Sequence, residues 1–264
     1  EQYWVSLIGS LIKLSKIHKA REILSEAMKE GFNSNKLKHF SLILNPSTKL
    51  DFFYTYLKSI GVFNSKHHNV INGDGEIIPL LTTSFLNWFE TQSWSSMKLL
   101  EFGSGGSTLY FSKFFKSVTS FETNKDWYEK ISSKAPKNVR VVKVKSIIDS
   151  LKTNSIKNIN NFDAILIDAG ENRAKITRCL VDDNFEGIIF FDNSDNYRNS
   201  INVLIKNGYI EIPFFGLKPI KDYLDCTSIL IKPSMIEKFL NGDWVSFPKL
   251  RKEMSSNLWD DESI

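Results

Sequence analysis

The chain has 264 residues, of which 42% are hydrophobic and 24% charged, enough for a large buried core in one or two domains. The formal net charge of +4 is a mild basic bias that does not by itself indicate a nucleic-acid partner. Two cysteines, Cys179 and Cys226, form neither a disulfide framework nor a metal-binding spacing and favour a cytoplasmic location, and no apolar run reaches the length of a membrane span.

Residues 1–65 are predicted to form a helical segment. Apolar residues recur at helical spacing within 7–28, and a further helix is predicted over 51–60, before Gly61. These helices are a candidate surface for association of identical subunits or for a protein partner. Residues 66–78 contain Asn, Gly, Asp and His and predict a linker loop.

From residue 79 to residue 232, short β-rich runs alternate with helical segments. This alternation predicts an α/β domain, doubly wound around a mostly parallel seven-stranded sheet. The predicted strands are Met97–Phe102, Val118–Glu122, Val139–Val144, Ala164–Asp168, Gly187–Asp192, Tyr209–Pro213 and Thr227–Ile231. The predicted helices are Thr82–Thr91, Thr108–Phe115, Lys125–Lys134, Arg173–Asp183 and Tyr197–Asn207. Residues 233–264 form a tail, predicted to be helical and then irregular.

A glycine-rich turn follows the first predicted strand. The sequence from Glu101 to Thr108 is Glu-Phe-Gly-Ser-Gly-Gly-Ser-Thr. Glycines let the backbone approach a ligand closely, and the start of the next helix supplies unpaired N–H groups. Glu122 ends the second strand about twenty residues later, where a carboxylate accepts hydrogen bonds from ribose hydroxyls. This arrangement suits NAD and S-adenosylmethionine equally. Trp127 could border an adenine, but core packing is the favoured interpretation.

Glu101 favours S-adenosylmethionine, because the residue before the glycines of a dinucleotide fold is usually apolar. The pattern resembles class I S-adenosylmethionine-dependent methyltransferases. The matched places are Glu101–Gly105, Phe121-Glu122, Phe162–Asp168 and Ile188–Asn193. In that family the glycines make room for the amino-acid end of the cofactor, and the last strand runs antiparallel. One departure is Ser107, which stands at the third glycine position.

The resemblance and the strand ends together imply a set of cofactor-binding residues at the carboxyl edge of the sheet. These are Glu101, Gly103, Ser104, Gly105, Gly106, Ser107, Thr108, Glu122, Ser146 and Asp168.

Polar residues at two neighbouring strand ends predict a candidate metal-binding site. Asp168 ends the fourth predicted strand, and Asp192 and Asn193 end the fifth; carboxylate and amide oxygens suit Mg²⁺. The placement is similar to the metal site of catechol-type and caffeoyl-CoA-type O-methyltransferases. Glu171 departs from the catechol type, which has lysine there. The alternative is that Asp192 and Asn193 cap the next helix.

A hydroxyl acceptor also requires loss of a proton, by a base or through a metal. Asp168 and His68 are the candidate catalytic residues, although His68 has an alternative reading as part of an exposed polar loop. Arg173, Asp222 and Tyr223 are candidate acceptor contacts.

No Asn-Pro-Pro-Tyr-type motif is present, which argues against methylation of nucleic-acid bases. The favoured hypothesis is methyl transfer to a small molecule or sugar at oxygen. The alternatives are an NAD-dependent oxidoreductase and a non-catalytic domain that binds a protein partner.

Overall fold

The computed structural model describes residues 1–44, 48–66, 69–153 and 158–240. The chain divides into two compact units, residues 1–57 and 58–264. No helix in the described ranges is both long and apolar enough to cross a membrane.

The first unit is helical, as predicted. It contains α1 (Gln2–Lys13), α2 (Ile17–Lys29) and α3 (Asn35–Leu44), and α4 (Thr48–Ser59) runs across the boundary between the units. Ala20, Leu24 and Ala27 form a buried stripe on α2 because residues at this spacing share one helix face. They pack with Ile8 and Leu37 in a separate small core. Association of identical subunits through these helices stays a prediction.

The second unit is built around a seven-stranded sheet. Its strands are β1 (Lys98–Phe102), β2 (Ser117–Glu122), β3 (Val139–Lys143), β4 (Ala164–Ile167), β5 (Ile188–Asp192), β6 (Ile210–Gly216) and β7 (Asp225–Ile231). Its helices after α4 are α5 (Thr83–Phe89), α6 (Gly106–Phe111), α7 (Lys125–Ser132), α8 (Ile147–Lys152), α9 (Arg173–Asp182), α10 (Arg198–Lys206) and α11 (Pro233–Leu240).

The strand order is β3-β2-β1-β4-β5-β7-β6, and β7 runs antiparallel to both of its neighbours. The predicted fold class is therefore confirmed, including the antiparallel last strand. The order differs from the 3-2-1-4-5-6 order of dinucleotide-binding folds, because β7 lies between β5 and β6.

Several element bounds differ from the prediction; for example, α6 is Gly106–Phe111 where Thr108–Phe115 was predicted. Two of the differences have a plain physical reason. Helix α8 was not predicted because its six residues are too few to show a helical period, although Ser146 caps it by accepting a hydrogen bond from the Asp149 N–H at 3.2 Å. Strand β6 continues through Pro213 to Gly216, whereas the sequence predicted an end at the proline. Because β6 is an edge strand, a residue without an N–H is tolerated there.

An aromatic cluster fills the core on one face of the sheet. The rings of Phe89 on α5 and Trp94 are stacked with centroids 4.7 Å apart, and Phe190 of β5 meets Phe89 edge to face at 5.9 Å. The Trp94 indole N–H donates to the Phe89 carbonyl oxygen at 2.8 Å, so its polar atom is satisfied although the side chain is buried.

We expect Phe89→Ala to lower the free energy of unfolding by about 3–5 kcal/mol, because the substitution leaves a cavity among rings that cannot fully collapse. Phe215→Ala is the matched control, since that ring is 60% exposed, and its loss should cost under about 1 kcal/mol. Urea unfolding of both variants measures the difference. Equal losses in the two variants would contradict the assigned core.

Candidate cofactor-binding site

A cavity of about 490 Å³ opens at the carboxyl ends of β1, β2 and β4. The turn 103–107 forms its floor, and residues from the segment 69–80, from α7 and from the end of β4 form its walls. Its position agrees with the rule that ligands of parallel sheets bind outside the carboxyl ends of the strands. Of the predicted cofactor residues, the following line the cavity: Gly103, Ser104, Gly105, Gly106, Ser107, Glu122 and Asp168.

The backbone requires glycine at one position of the turn and leaves little room for a side chain at another. Gly103 has φ +96°, and a Cβ there would lie 2.6 Å from the carbonyl oxygen of Asp168. A Cβ on Gly106 would lie 3.0 Å from the carbonyl oxygen of Ile78 and 3.2 Å from Cγ2 of Ile77. The turn is therefore packed against the end of β4 on one side and against residues 77–78 on the other.

Glu122 ties the end of β2 to this turn. Its Oε2 accepts hydrogen bonds from the backbone N–H of Ser104 at 2.7 Å and from the Ser104 hydroxyl at 3.0 Å. Its Oε1 accepts from the backbone N–H of Asn124 at 2.6 Å. The carboxylate borders the cavity, where Oε1, which accepts a single hydrogen bond from Asn124, keeps a further lone pair for a hydrogen bond from a ligand.

Glu101 lies beneath the turn and not in the cavity wall, which corrects its predicted role as a cofactor contact. The hydroxyls of Ser107 and Thr108 each donate to its carboxylate at 2.5 Å, and both Glu101 and Thr108 are fully buried. Burial raises the pKa of Glu101 to about 7 against the opposing effect of these hydrogen bonds. Ser107 stands at the third glycine position of the family pattern, and its hydroxyl donates a hydrogen bond to the buried Glu101.

Trp127 gives the cavity an aromatic wall, whereas the sequence favoured core packing for this residue. Trp127 lines the cavity beside Ile131 and Ile147 instead of packing in the core. The Lys130 ammonium lies over its ring, 4.4 Å from the centroid. Periodicity could not reveal this, because it cannot tell whether a half-buried position faces a cavity or a packed core.

The predicted linker loop contributes Val70, Ile77 and Ile78 to the opposite wall. His67 and His68 lie outside the described residues, so the catalytic role of His68 stays a prediction.

Ser146 does not line the cavity. It caps α8 and donates to Glu171 at 3.2 Å, and Glu171 in turn accepts a hydrogen bond from the backbone N–H of Ile147 at 2.8 Å. The acid that replaces the lysine of the catechol-type enzymes therefore stabilises the start of α8.

Arg173 is buried, with 5% of its surface exposed, and holds the ends of β4 and β5 together. Its Nη2 donates to Oδ1 of Asp168 at 2.9 Å, its Nε donates to the carbonyl oxygen of Ala169 at 3.1 Å, and its Nη1 donates to the carbonyl oxygen of Asp192. It does not line the cavity beside the glycine turn but lines a second one with Tyr197 and Arg198, and its predicted contact with an acceptor stays a prediction.

The residues predicted to bind Mg²⁺ do not fit a divalent ion. Lys218 places its ammonium 2.9 Å from both carboxylate oxygens of Asp192, and Asn193 turns its amide N–H₂ towards Asp225, at 2.7 Å. Asp168 is paired with Arg173 instead. Across the residues that the structure describes, no cluster of three or more His, Cys, Asp or Glu side chains is arranged to hold a metal ion.

Asp222 and Tyr223 lie in the connection between β6 and β7. Both are exposed, and neither lines the cavity. Lys221 stands over the Tyr223 ring at 5.4 Å from its centroid. Their predicted contact with an acceptor stays a prediction.

Among the comparisons with known proteins, only solved structures match this chain. No family model matches the chain, and no curated protein matches it. Solved structures do match. A precorrin-6y C5,15-methyltransferase from Geobacter metallireducens is 13% identical with a TM-score of 0.47, covering 64% of this chain and 94% of its own.

An O-methyltransferase from Bacillus cereus, solved with SAH, is 17% identical with a TM-score of 0.46, over 74% of this chain and 96% of its own. A putative tRNA (m1A22) methyltransferase from Streptococcus pneumoniae, solved with S-adenosyl-L-methionine, is 12% identical with a TM-score of 0.45, over 58% and 73%. The seven-stranded order with an antiparallel β7 is consistent with the α/β fold that the resemblance to class I methyltransferases predicts.

We expect Glu101→Gln to reduce the dependence of stability on pH without abolishing it, because burial also raises the pKa of Asp192 to about 7 and that group keeps its own contribution. The pKa of Glu101 is raised from 4.5 to about 7, so the folded state binds its proton more tightly than the unfolded state. The resulting stabilisation is complete at low pH and is lost as the pH rises through about 7, up to about 3 kcal/mol. Urea unfolding at about pH 5 and about pH 8 measures the loss. The same loss in Glu101→Gln as in the unchanged protein would show that another group causes it.

Proposed function

We propose that the second unit is an S-adenosylmethionine-dependent methyltransferase. One observation carries the proposal: the Glu122 carboxylate stands at the end of β2, bonded to the turn at Ser104 and bordering the cavity. A carboxylate at this place in a strand–turn–helix unit suits the two hydroxyls of a ribose.

The walls of the cavity suit the other parts of this cofactor. Trp127, Ile131 and Ile147 offer an apolar and aromatic surface for a purine. The glycine turn and Asp168 stand at the other end, where a close backbone approach leaves room for an amino-acid group. The bound sulfonium would supply an activated methyl group, and the chain's own residues orient it and limit the access of water.

We propose an oxygen of a small molecule or sugar as the acceptor. Asp168 supports this choice, because it is an ionisable side chain that lines the cavity at the end of β4. Its ion pair with Arg173 at 2.9 Å holds the carboxylate in place, so that it can accept the proton of an acceptor hydroxyl. The cytoplasmic location belongs to this proposal and rests on cysteine use alone.

The two alternatives from the sequence are less well supported. An NAD-dependent oxidoreductase is disfavoured because the strand order departs from that of dinucleotide-binding folds. A non-catalytic domain would have no need for the cavity beside Glu122, and binding of the cofactor tests that reading directly.

S-adenosylhomocysteine should raise the unfolding temperature of the protein, and NAD should leave it unchanged, because a ligand that binds only the folded state stabilises it. Glu122→Gln should weaken binding of S-adenosylhomocysteine about 10- to 100-fold, since it removes charge-assisted hydrogen bonds. Calorimetric titration well below the unfolding temperature measures the affinity.

Glu129→Gln is the control, because Glu129 is an exposed acid on α7 whose side chain is 61% exposed. Its affinity should equal that of the unchanged protein. Stabilisation by NAD alone would refute the proposal, and binding of neither ligand would favour a domain that binds a protein partner.

Methyl transfer from tritiated S-adenosylmethionine should appear with a panel of hydroxyl-bearing small molecules and sugars, and not with tRNA or protein. Asp168→Asn should lower the turnover about 10²- to 10⁴-fold, the usual contribution of a general base. Its affinity for S-adenosylhomocysteine should stay within about tenfold of the unchanged protein's, a difference of about 1.4 kcal/mol. Labelling of tRNA alone would overturn the proposed acceptor class.

A further inference from the structure

Lys218 is the most deeply buried cation described in the second unit, with 1% of its side chain exposed. Its ammonium lies 2.9 Å from each carboxylate oxygen of Asp192 and 3.0 Å from Oδ2 of Asp225. Burial lowers the pKa of Lys218, but the attraction of both carboxylates outweighs this and leaves the pKa raised. The buried side chain is therefore charged, with its charge matched by partners.

Two neighbouring side chains donate hydrogen bonds to the carboxylates that hold the Lys218 ammonium. The Thr227 hydroxyl donates to Oδ1 of Asp192 at 3.0 Å, and the Asn193 amide donates to Oδ1 of Asp225 at 2.7 Å. Both neighbours thus present hydrogens to the carboxylates. A divalent ion would instead need oxygen lone pairs converging on one point.

We infer that Lys218 supplies, as a fixed part of the protein, the positive charge that a divalent cation would supply at the end of β5. A lysine ammonium cannot leave the site and needs no loading. For the chemistry at the acceptor, the inference rests on the proposed function. As a statement about the cation position, it rests on the distances alone.

The same side chain is a positioning residue for both sides of the site. Asp192 accepts a hydrogen bond from Arg173 through its carbonyl oxygen, and Arg173 holds Asp168 at the cavity. On the other side, Lys218 anchors the connection between β6 and β7, whose tip at Asp222 and Tyr223 is exposed. The charge of Lys218 therefore joins the end of β5 to the connection between β6 and β7.

Electron paramagnetic resonance of added Mn²⁺ tests the inference in the unchanged protein saturated with S-adenosylhomocysteine. We expect all the Mn²⁺ to remain free, and chelator to leave the unfolding temperature unchanged. One tightly bound Mn²⁺ per chain would overturn the inference. Failure of S-adenosylhomocysteine to bind would count against the proposed function and leave the Mn²⁺ measurement, repeated without it, as the test of the cation position.

Lys218→Ala provides the complementary test. Removal of the ammonium leaves Asp192 and Asp225 facing a vacated space, so the variant should unfold at a lower temperature and bind Mn²⁺ at least about tenfold more tightly than the unchanged protein, a gain of about 1.4 kcal/mol. Added Mn²⁺ should raise its unfolding temperature, a rescue that loss of packing alone would not give.

Two controls accompany this variant. Lys218→Ala combined with Asp225→Asn should lose the rescue, and Lys221→Ala, in the same connection, should behave as the unchanged protein does. A folded Lys218→Ala without any gain in Mn²⁺ binding would overturn the inference. If Lys218→Ala fails to fold, the Mn²⁺ measurement on the unchanged protein decides.

Discussion

The cavity depends on one buried acid. The Glu101 carboxylate accepts hydrogen bonds from the hydroxyls of Ser107 and Thr108 and so fixes the start of α6 next to the glycine turn. Thr108 also accepts a hydrogen bond from the backbone N–H of Gly105 at 3.0 Å. With the turn fixed, Gly103 packs against the end of β4. Loss of this acid would therefore disturb the whole floor of the cavity, although Glu101 does not line the cavity itself.

The architecture was predictable because buried parallel strands leave a clear trace. Strand β4 is a continuous apolar run, buried along its whole length, and its predicted bounds differ from the observed ones by a single residue. Glu122 was likewise found from its distance to the glycine turn. Both features depend on short-range order along the chain.

The rest of the site depends on contacts between distant segments, which a single sequence does not reveal. Lys218 and Asp192 come from different elements, and nothing around either residue shows that they form an ion pair. The hydrogen bonds of Arg173 to Asp168, Ala169 and Asp192 were equally hidden, because a charge near a strand end indicates a ligand contact as readily as a structural partner. Glu101 was predicted to contact the cofactor because it lies close to the glycine turn in sequence. It belongs to β1, two residues before Gly103, and this is enough to place its side chain beneath the turn.

The ion pairs at the ends of β4 and β5 also have a consequence for the proposed reaction. The linked carboxylates of Asp168, Asp192 and Asp225 outnumber the cations Arg173 and Lys218 by one, so this network carries a net negative charge when all five groups are ionised. Burial raises the pKa of Asp192 to about 7, so this condition is met only above neutral pH. A cationic sulfonium is attracted to such a region more strongly than the neutral thioether that remains after transfer. The same fixed charges would therefore help to retain the methyl donor and to release the spent product.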